Sequence, residues 1–192
     1  MLPKIKINQK PKTFPAPIHS SSLVARPRVY QTYKPPLSMY RNANVILEPI
    51  DAFGTLFLGD VTAALEKSRL KRDGIKTVLT VAIGLKVYYN PILGIQHHVY
   101  PAFDMETFDL SKYFQDTYDA IENGLKKGGV LVHCAAGVSR SATIVIAYLM
   151  KKNKWSYQEA YSFVRRKRTM ICPNSGFVRQ LKNYERKLKA GA

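Results

Sequence analysis

Cysteine is scarce: Cys134 and Cys172 are the only two in 192 residues, too few for a disulfide framework. A reducing compartment is therefore expected, cytoplasmic or nuclear. Long hydrophobic runs are also missing. No stretch of 18 apolar residues occurs, so no membrane-spanning helix is expected. Met1-Leu2-Pro3-Lys4 lacks the apolar core of a secretory signal, and Leu at position 2 excludes myristoylation. The C-terminal Lys189-Ala190-Gly191-Ala192 is no prenylation box. His97 and His98 are neighbours on a predicted strand and so face opposite sides. No other His or Cys clusters with them, so no metal site is expected. No internal repeat is visible.

Acidic residues are absent from the first 47 positions, which hold eight Lys/Arg. Residues 48–150 are nearly neutral, with ten Lys/Arg against eleven Asp/Glu, and residues 151–192 carry twelve against two. The formal charge of +17 therefore sits at the two ends. Such a surface attracts anionic partners, although solvated Lys on a tail and on helix faces is the plainer explanation. No nucleic-acid-binding signature accompanies the charge, so nucleic acid is not an expected partner.

Seven of the eleven prolines fall in residues 1–43, together with Ser20-Ser21-Ser22. This composition predicts a basic, Pro-rich N-terminal extension over 1–43 and a compact domain over 44–192. The acid-free arm leaves mitochondrial targeting open, although its prolines oppose the helix that a presequence needs. Lys4-Ile5-Lys6-Ile7 has the pattern of a short docking motif, one common by chance.

The compact region reads as alternating strands and helices. Val45-Ile46-Leu47 and Thr55-Leu56-Phe57-Leu58 predict paired strands around an Asp51-Ala52-Phe53-Gly54 turn. Asp60 should cap a helix over 61–72 that ends at Asp73-Gly74. Strands are expected over 76–81, 96–100 and 130–133. Asp109 is the expected cap of a helix over 110–124, with Asp116 and Asp119 facing solvent. A helix running to Met150 is apolar nearly all round and should be central. Ser156-Tyr157-Gln158-Glu159 is a capping box opening a helix to Lys167. Asn174 should cap a last helix over 175–188. The fold class is thus α/β, a single domain whose mainly parallel central sheet is flanked by helices.

Within this frame, His133-Cys134-Ala135-Ala136-Gly137-Val138-Ser139-Arg140-Ser141 joins a strand to the central helix. A tight loop opening a helix gathers unpaired backbone N–H groups where the helix dipole is positive, and so cradles a phosphate dianion. The same nest favours a cysteine thiolate over the thiol. Arg140 adds a planar fork for two phosphate oxygens. Gly137 permits a close backbone approach or a positive φ. A buried structural cysteine before a core helix is the plainer reading of Cys134 alone.

This segment resembles the His-Cys-x5-Arg-Ser/Thr signature of the cysteine-dependent protein phosphatases, and in its Ala-Ala-Gly-Val-Ser-Arg-Ser form the small atypical dual-specificity phosphatases. The resemblance covers residues 44–188. It implies Cys134 as nucleophile and the loop residues Ala135, Ala136, Gly137, Val138, Ser139 and Arg140 as the phosphate cradle. Ser141 would hydrogen-bond the sulfur and ease its departure, and Ser139 would support the loop. His133 would be a buried partner that shapes the loop rather than a general base. The family places a general-acid Asp on a loop about thirty residues before the Cys. Pro101-Ala102-Phe103-Asp104 matches that region, which puts Asp104 at the acid's position ahead of Asp109. Cys172-Pro173-Asn174-Ser175-Gly176-Phe177 resembles the family's Pro-Asn-x-Gly-Phe element, in which Asn174 would brace the phosphate loop. Cys172 is expected as a buried spectator, with a redox pairing to Cys134 as the alternative. Val87, Tyr88, Tyr89 and Phe103 are candidates for the pocket rim.

The implied activity is hydrolysis of phosphotyrosine and phosphoserine/phosphothreonine in proteins through a cysteinyl-phosphate, with no metal or cofactor. Phosphorylated proteins are the expected partners. The loop lacks the two lysines of phosphoinositide-directed members and the Asn-Arg-Thr-Gly of RNA-directed ones. The alternatives are a phosphatase of such a non-protein anion and a phosphoresidue-binding pseudophosphatase.

Overall fold

The computed structural model describes residues 42–49 and 53–191. The N-terminal extension, and Asp51 and Ala52 of the expected turn, lie outside the described residues. Among the described residues, five strands form one sheet: β1 (Ala43–Leu47), β2 (Leu56–Gly59), β3 (Ile75–Val81), β4 (Gln96–Tyr100) and β5 (Gly129–His133). Their spatial order is β1-β2-β5-β3-β4, with β1 antiparallel to β2 and every other pair parallel. The central position of β5 explains its unbroken apolar character, since both its faces are covered.

Side-chain alternation sorts the strands into two cores. Leu56, Leu58, Leu79, Val81, Val130 and Val132 face one side, where α3 (Phe114–Leu125), α4 (Arg140–Asn153), α5 (Tyr157–Lys167) and α6 (Ser175–Ala190) cover them. Phe57, Val78 and Leu131 face the other side, under α1 (Val61–Leu65) and α2 (Lys67–Arg72). Every residue of α4 from Ser141 to Met150 is buried, as expected of a central helix.

Most predicted boundaries hold to within a residue or two, and the exceptions have local causes. The helix expected over 61–72 is two helices, because Glu66 at ψ 77° ends α1 and restarts the chain as α2. The helix expected from Leu110 begins at Phe114, preceded by a 3-10 turn over Ser111–Tyr113. Asp109 does not cap α3. Its Oδ1 accepts from the Ser111 amide at 3.0 Å and hydroxyl at 2.6 Å, a local turn that precedes the helix. The caps at Asp60, Ser156 and Asn174 form as expected.

The parallel strands all end at one edge of the sheet. There β5 runs into the 134–140 loop, β2 into Asp60, and β4 into the 101–110 loop, so the chemistry-bearing segments meet at the carboxyl ends of the strands.

Candidate active site

The 134–139 backbone is held from outside at every carbonyl. His133 Nδ1 donates to the Cys134 oxygen at 3.2 Å and the Val61 amide to Ala135 at 3.1 Å. Arg168 donates from Nη2 to Ala136 at 3.3 Å and from Nε to Gly137 at 2.9 Å. The Cys172 amide donates to Val138 at 2.9 Å, and Thr143 donates to Ser139 from its amide at 2.9 Å and its hydroxyl at 2.8 Å. A trans peptide unit points its N–H opposite to its C=O, and no peptide among the described residues is cis. Carbonyls drawn outward therefore turn the amides of residues 135–140 inward on a common centre. The Ala136–Gly137 peptide shows the result: its carbonyl accepts from Arg168 Nη2, and its amide donates to Cys134 Sγ at 3.2 Å.

Cys134 is buried at that centre, and its sulfur also accepts from Ser141 Oγ at 3.2 Å. Two donors thus converge on one sulfur. Gly137 has φ +67°, and a Cβ there would lie 2.5 Å from the Gly59 carbonyl oxygen, so no other residue fits.

Ser139 stands at the N-cap of α4 yet makes no capping bond. Its hydroxyl instead donates to Asp104 Oδ1 at 2.7 Å and accepts from the Asn174 amide at 3.2 Å. The helix N-terminus is thereby left open to an anion. Asn174 Nδ2 gives Asp104 Oδ1 a second donor at 2.9 Å, while Asn174 Oδ1 caps α6 at the Phe177 amide. With Oδ1 doubly occupied, Oδ2 faces Arg140 Nε at 3.6 Å. That contact is too long for a hydrogen bond, and Arg140 Nε is buried without a hydrogen-bond partner, while Arg140 Nη1 donates to the Ala102 carbonyl at 3.1 Å.

The loop bearing Asp104 is tied to α6. Gln180 accepts from the amides of Leu110 and Ser111 at 2.9 and 3.0 Å and donates to the Phe108 carbonyl at 2.8 Å. Gly176 lets Glu106 pass, since a Cβ there would lie 2.0 Å from the Glu106 oxygen.

A match to the dual specificity phosphatase catalytic domain spans residues 56–187, which takes in every element of this site. The chain belongs to the dual specificity phosphatase family.

Among its relatives, dual specificity protein phosphatase 1B of Arabidopsis thaliana is 41% identical over 138 residues, covering 71% of this chain and 81% of the plant protein. MAP kinase phosphatase with leucine-rich repeats protein 1 of Dictyostelium discoideum is 41% identical over 133 residues, 69% of this chain but only 16% of that protein. The crystal structure of human DUSP28 superposes with a TM-score of 0.70 at 30% identity, covering 78% of this chain and 96% of that one.

The phosphatase thus brings together Cys134, Arg140, Ser141, Ser139, His133, Asn174 and Asp104, and leaves Asp109, Asp116 and Asp119 exposed and apart. Two expectations require correction. Cys172 is exposed rather than buried, because only its backbone packs against the loop. Of the rim candidates, Val87 is buried in the second core and Tyr89 donates to the Ala64 carbonyl at 2.9 Å; Tyr88 and Phe103 are exposed.

Sequence reasoning missed Arg168. It lies at the end of the basic run Arg165-Arg166-Lys167, which reads as a solvated helix end, yet it is 1% exposed. Beyond the two loop carbonyls it donates from Nη1 to Asn44 Oδ1 at 2.7 Å. Burial lowers its pKa, while Asp60 and Cys134 pull it back. The available signal was spacing: Ala160 and Val164 are the buried positions of α5, and Arg168 continues their four-residue stripe.

Proposed function

We propose that Cys134 attacks the phosphorus of phosphotyrosine or phosphoserine/phosphothreonine side chains in proteins. The inward amides of residues 135–140 and the Arg140 guanidinium hold the equatorial oxygens. Asp104 protonates the leaving hydroxyl through Oδ2 and, once ionised, deprotonates the water that hydrolyses the cysteinyl-phosphate. Ser141 donates to the departing sulfur in that second step. The observation that carries this reading is the buried Cys134 sulfur, met by the Gly137 amide and the Ser141 hydroxyl at 3.2 Å each, within a loop whose carbonyls all turn away. No step calls on a metal or cofactor. We further propose that the catalytic domain occupies residues 44–192, preceded by a basic extension over 1–43, and that the protein works in a reducing compartment.

The test is p-nitrophenyl phosphate hydrolysis by the full chain beside Cys134→Ser, with vanadate as phosphate mimic. Vanadate-sensitive turnover, lost in the variant while vanadate still binds, supports the assignment; measurable turnover by Cys134→Ser overturns it. Phosphopeptides should then be preferred over phosphoinositides and 5′-phosphorylated RNA. Preference for either non-peptide substrate would overturn the substrate class.

A further inference from the structure

Behind the cradle, three buried or half-buried side chains on neighbouring strands form one hydrogen-bonded line. His133, at the end of β5, is fully buried; its Nε2 lies 2.7 Å from Thr80 Oγ1 on β3. Thr80 Oγ1 in turn lies 2.8 Å from Nε2 of His97 on β4. Tyr89 packs edge-on against the His97 ring at 5.1 Å, and His98 faces the opposite side of the strand.

The direction of every bond in this line follows from its inner end. The Cys134 carbonyl can only accept, so His133 Nδ1 carries the hydrogen. Burial keeps the ring neutral at physiological pH, so its Nε2 is a bare acceptor. Thr80 must then donate to His133, which leaves the Thr80 oxygen to accept from His97, and His97 Nε2 must carry a hydrogen. Were the line reversed, His133 would present a lone pair to the lone pairs of the Cys134 carbonyl. Releasing that carbonyl frees the Cys134–Ala135 peptide to turn, and with it the first inward amide of the cradle.

We propose that His97 and Thr80 are positioning residues for the phosphatase reaction: they fix the His133 tautomer and so aim the Ala135 amide at the phosphate. Neither touches substrate. The inference rests on the 134–140 loop being the phosphate site, which vanadate inhibition of the wild type tests by itself.

The experiment uses the full chain with isotope-labelled histidine. In the wild type, imidazole nitrogen shifts at neutral pH should show His133 protonated at Nδ1; protonation at Nε2 overturns the proposal with no variant needed. Thr80→Val and His97→Phe should each lower kcat/KM for p-nitrophenyl phosphate by about tenfold, and weaken vanadate binding in step, as one lost hydrogen bond implies. Thr80→Ser and His97→Gln keep the donor and should recover most of both. Unchanged vanadate affinity in folded Thr80→Val and His97→Phe, or equal losses in Thr80→Ser and Thr80→Val, would assign these residues to packing and overturn the proposal. Absence of vanadate inhibition in a wild type that still holds the Nδ1 tautomer would instead reject the phosphate site.

Discussion

Ser139 donates its hydroxyl to Asp104 Oδ1 at 2.7 Å across 35 residues of sequence. A residue of the 134–140 loop thus orients the carboxylate proposed as the general acid. Asn174 adds the second donor to the same oxygen and holds the Ser139 hydroxyl with its own amide. Loop, Asp104 and the start of α6 form a triangle that occupies Oδ1 and leaves Oδ2 towards Arg140 Nε at 3.6 Å.

Removing the acid should separate the two aspartates of the 101–110 segment. Asp104→Ala is expected to lower turnover of aryl phosphates by about 10²-fold. Asp109→Ala removes an exposed turn bond and should change it by no more than about twofold. Steady-state kinetics on both variants decide between them; the larger loss in Asp109→Ala would transfer the role.

The Ser139–Asp104 bond predicts a dependence on the leaving group. Ser139→Ala leaves the carboxylate with one donor fewer and less well aimed. A poor leaving group such as the threonine alkoxide needs the proton more than p-nitrophenolate does. Phosphothreonine peptide hydrolysis should therefore fall about tenfold further than p-nitrophenyl phosphate hydrolysis. Parallel losses on the two substrates would count against this coupling.

Arg168→Met should be severe for both stability and activity. It strands the buried Gly137 carbonyl and leaves the Ala136 carbonyl and the Asn44 oxygen without their guanidinium donor. Loss of about 3 kcal/mol or more in urea unfolding is expected, with turnover lost in the fraction that remains folded. Arg165→Ala and Arg166→Ala, on the exposed face, should stay within about 0.5 kcal/mol of the parent.

His133 predicts acid sensitivity. Burial holds its pKa down to about 4, against the pull of the Cys134 carbonyl and Asp60. The unfolded chain restores a value of about 6.5 and so binds more protons between the two. Stability therefore rises with pH: the contribution is fully present above about 6.5 and is lost as pH falls towards 4, at up to about 1.4 kcal/mol per unit. Urea unfolding at pH 7, 6 and 5 should show the decline, with a shallower one in His133→Gln. Equal slopes would place the acid sensitivity elsewhere.

What could be read in the sequence follows from how local the physics is. Asp60, Ser156 and Asn174 bond amides within their own first turn, so the caps were visible as three-residue patterns. The Cys134–Arg140 loop is likewise continuous, and its strand and helix flanks were plain from hydrophobicity. Asp104 was reached only through resemblance to a family. Its partners Ser139 and Asn174 lie 35 and 70 residues away, and nothing local marks the pairing. Arg168 was hidden by its basic neighbours, and the His97–Thr80–His133 line by strand order, because β4, β3 and β5 are adjacent in space but not in sequence. The break at Glu66 and the late start of α3 are backbone choices made by packing, which periodicity alone does not resolve.

The carbonyl ties of the cradle reach from Val61 in the first third of the chain to Cys172 near its end. Such contacts have high sequence separation, and each requires a long chain loop to close before it forms. The nest of amides is accordingly a late product of folding, absent from any intermediate in which α1, β5 or the α5–α6 junction is still unplaced. In refolding kinetics, far-ultraviolet ellipticity should recover before turnover does. Recovery of turnover should therefore time the last step of assembly.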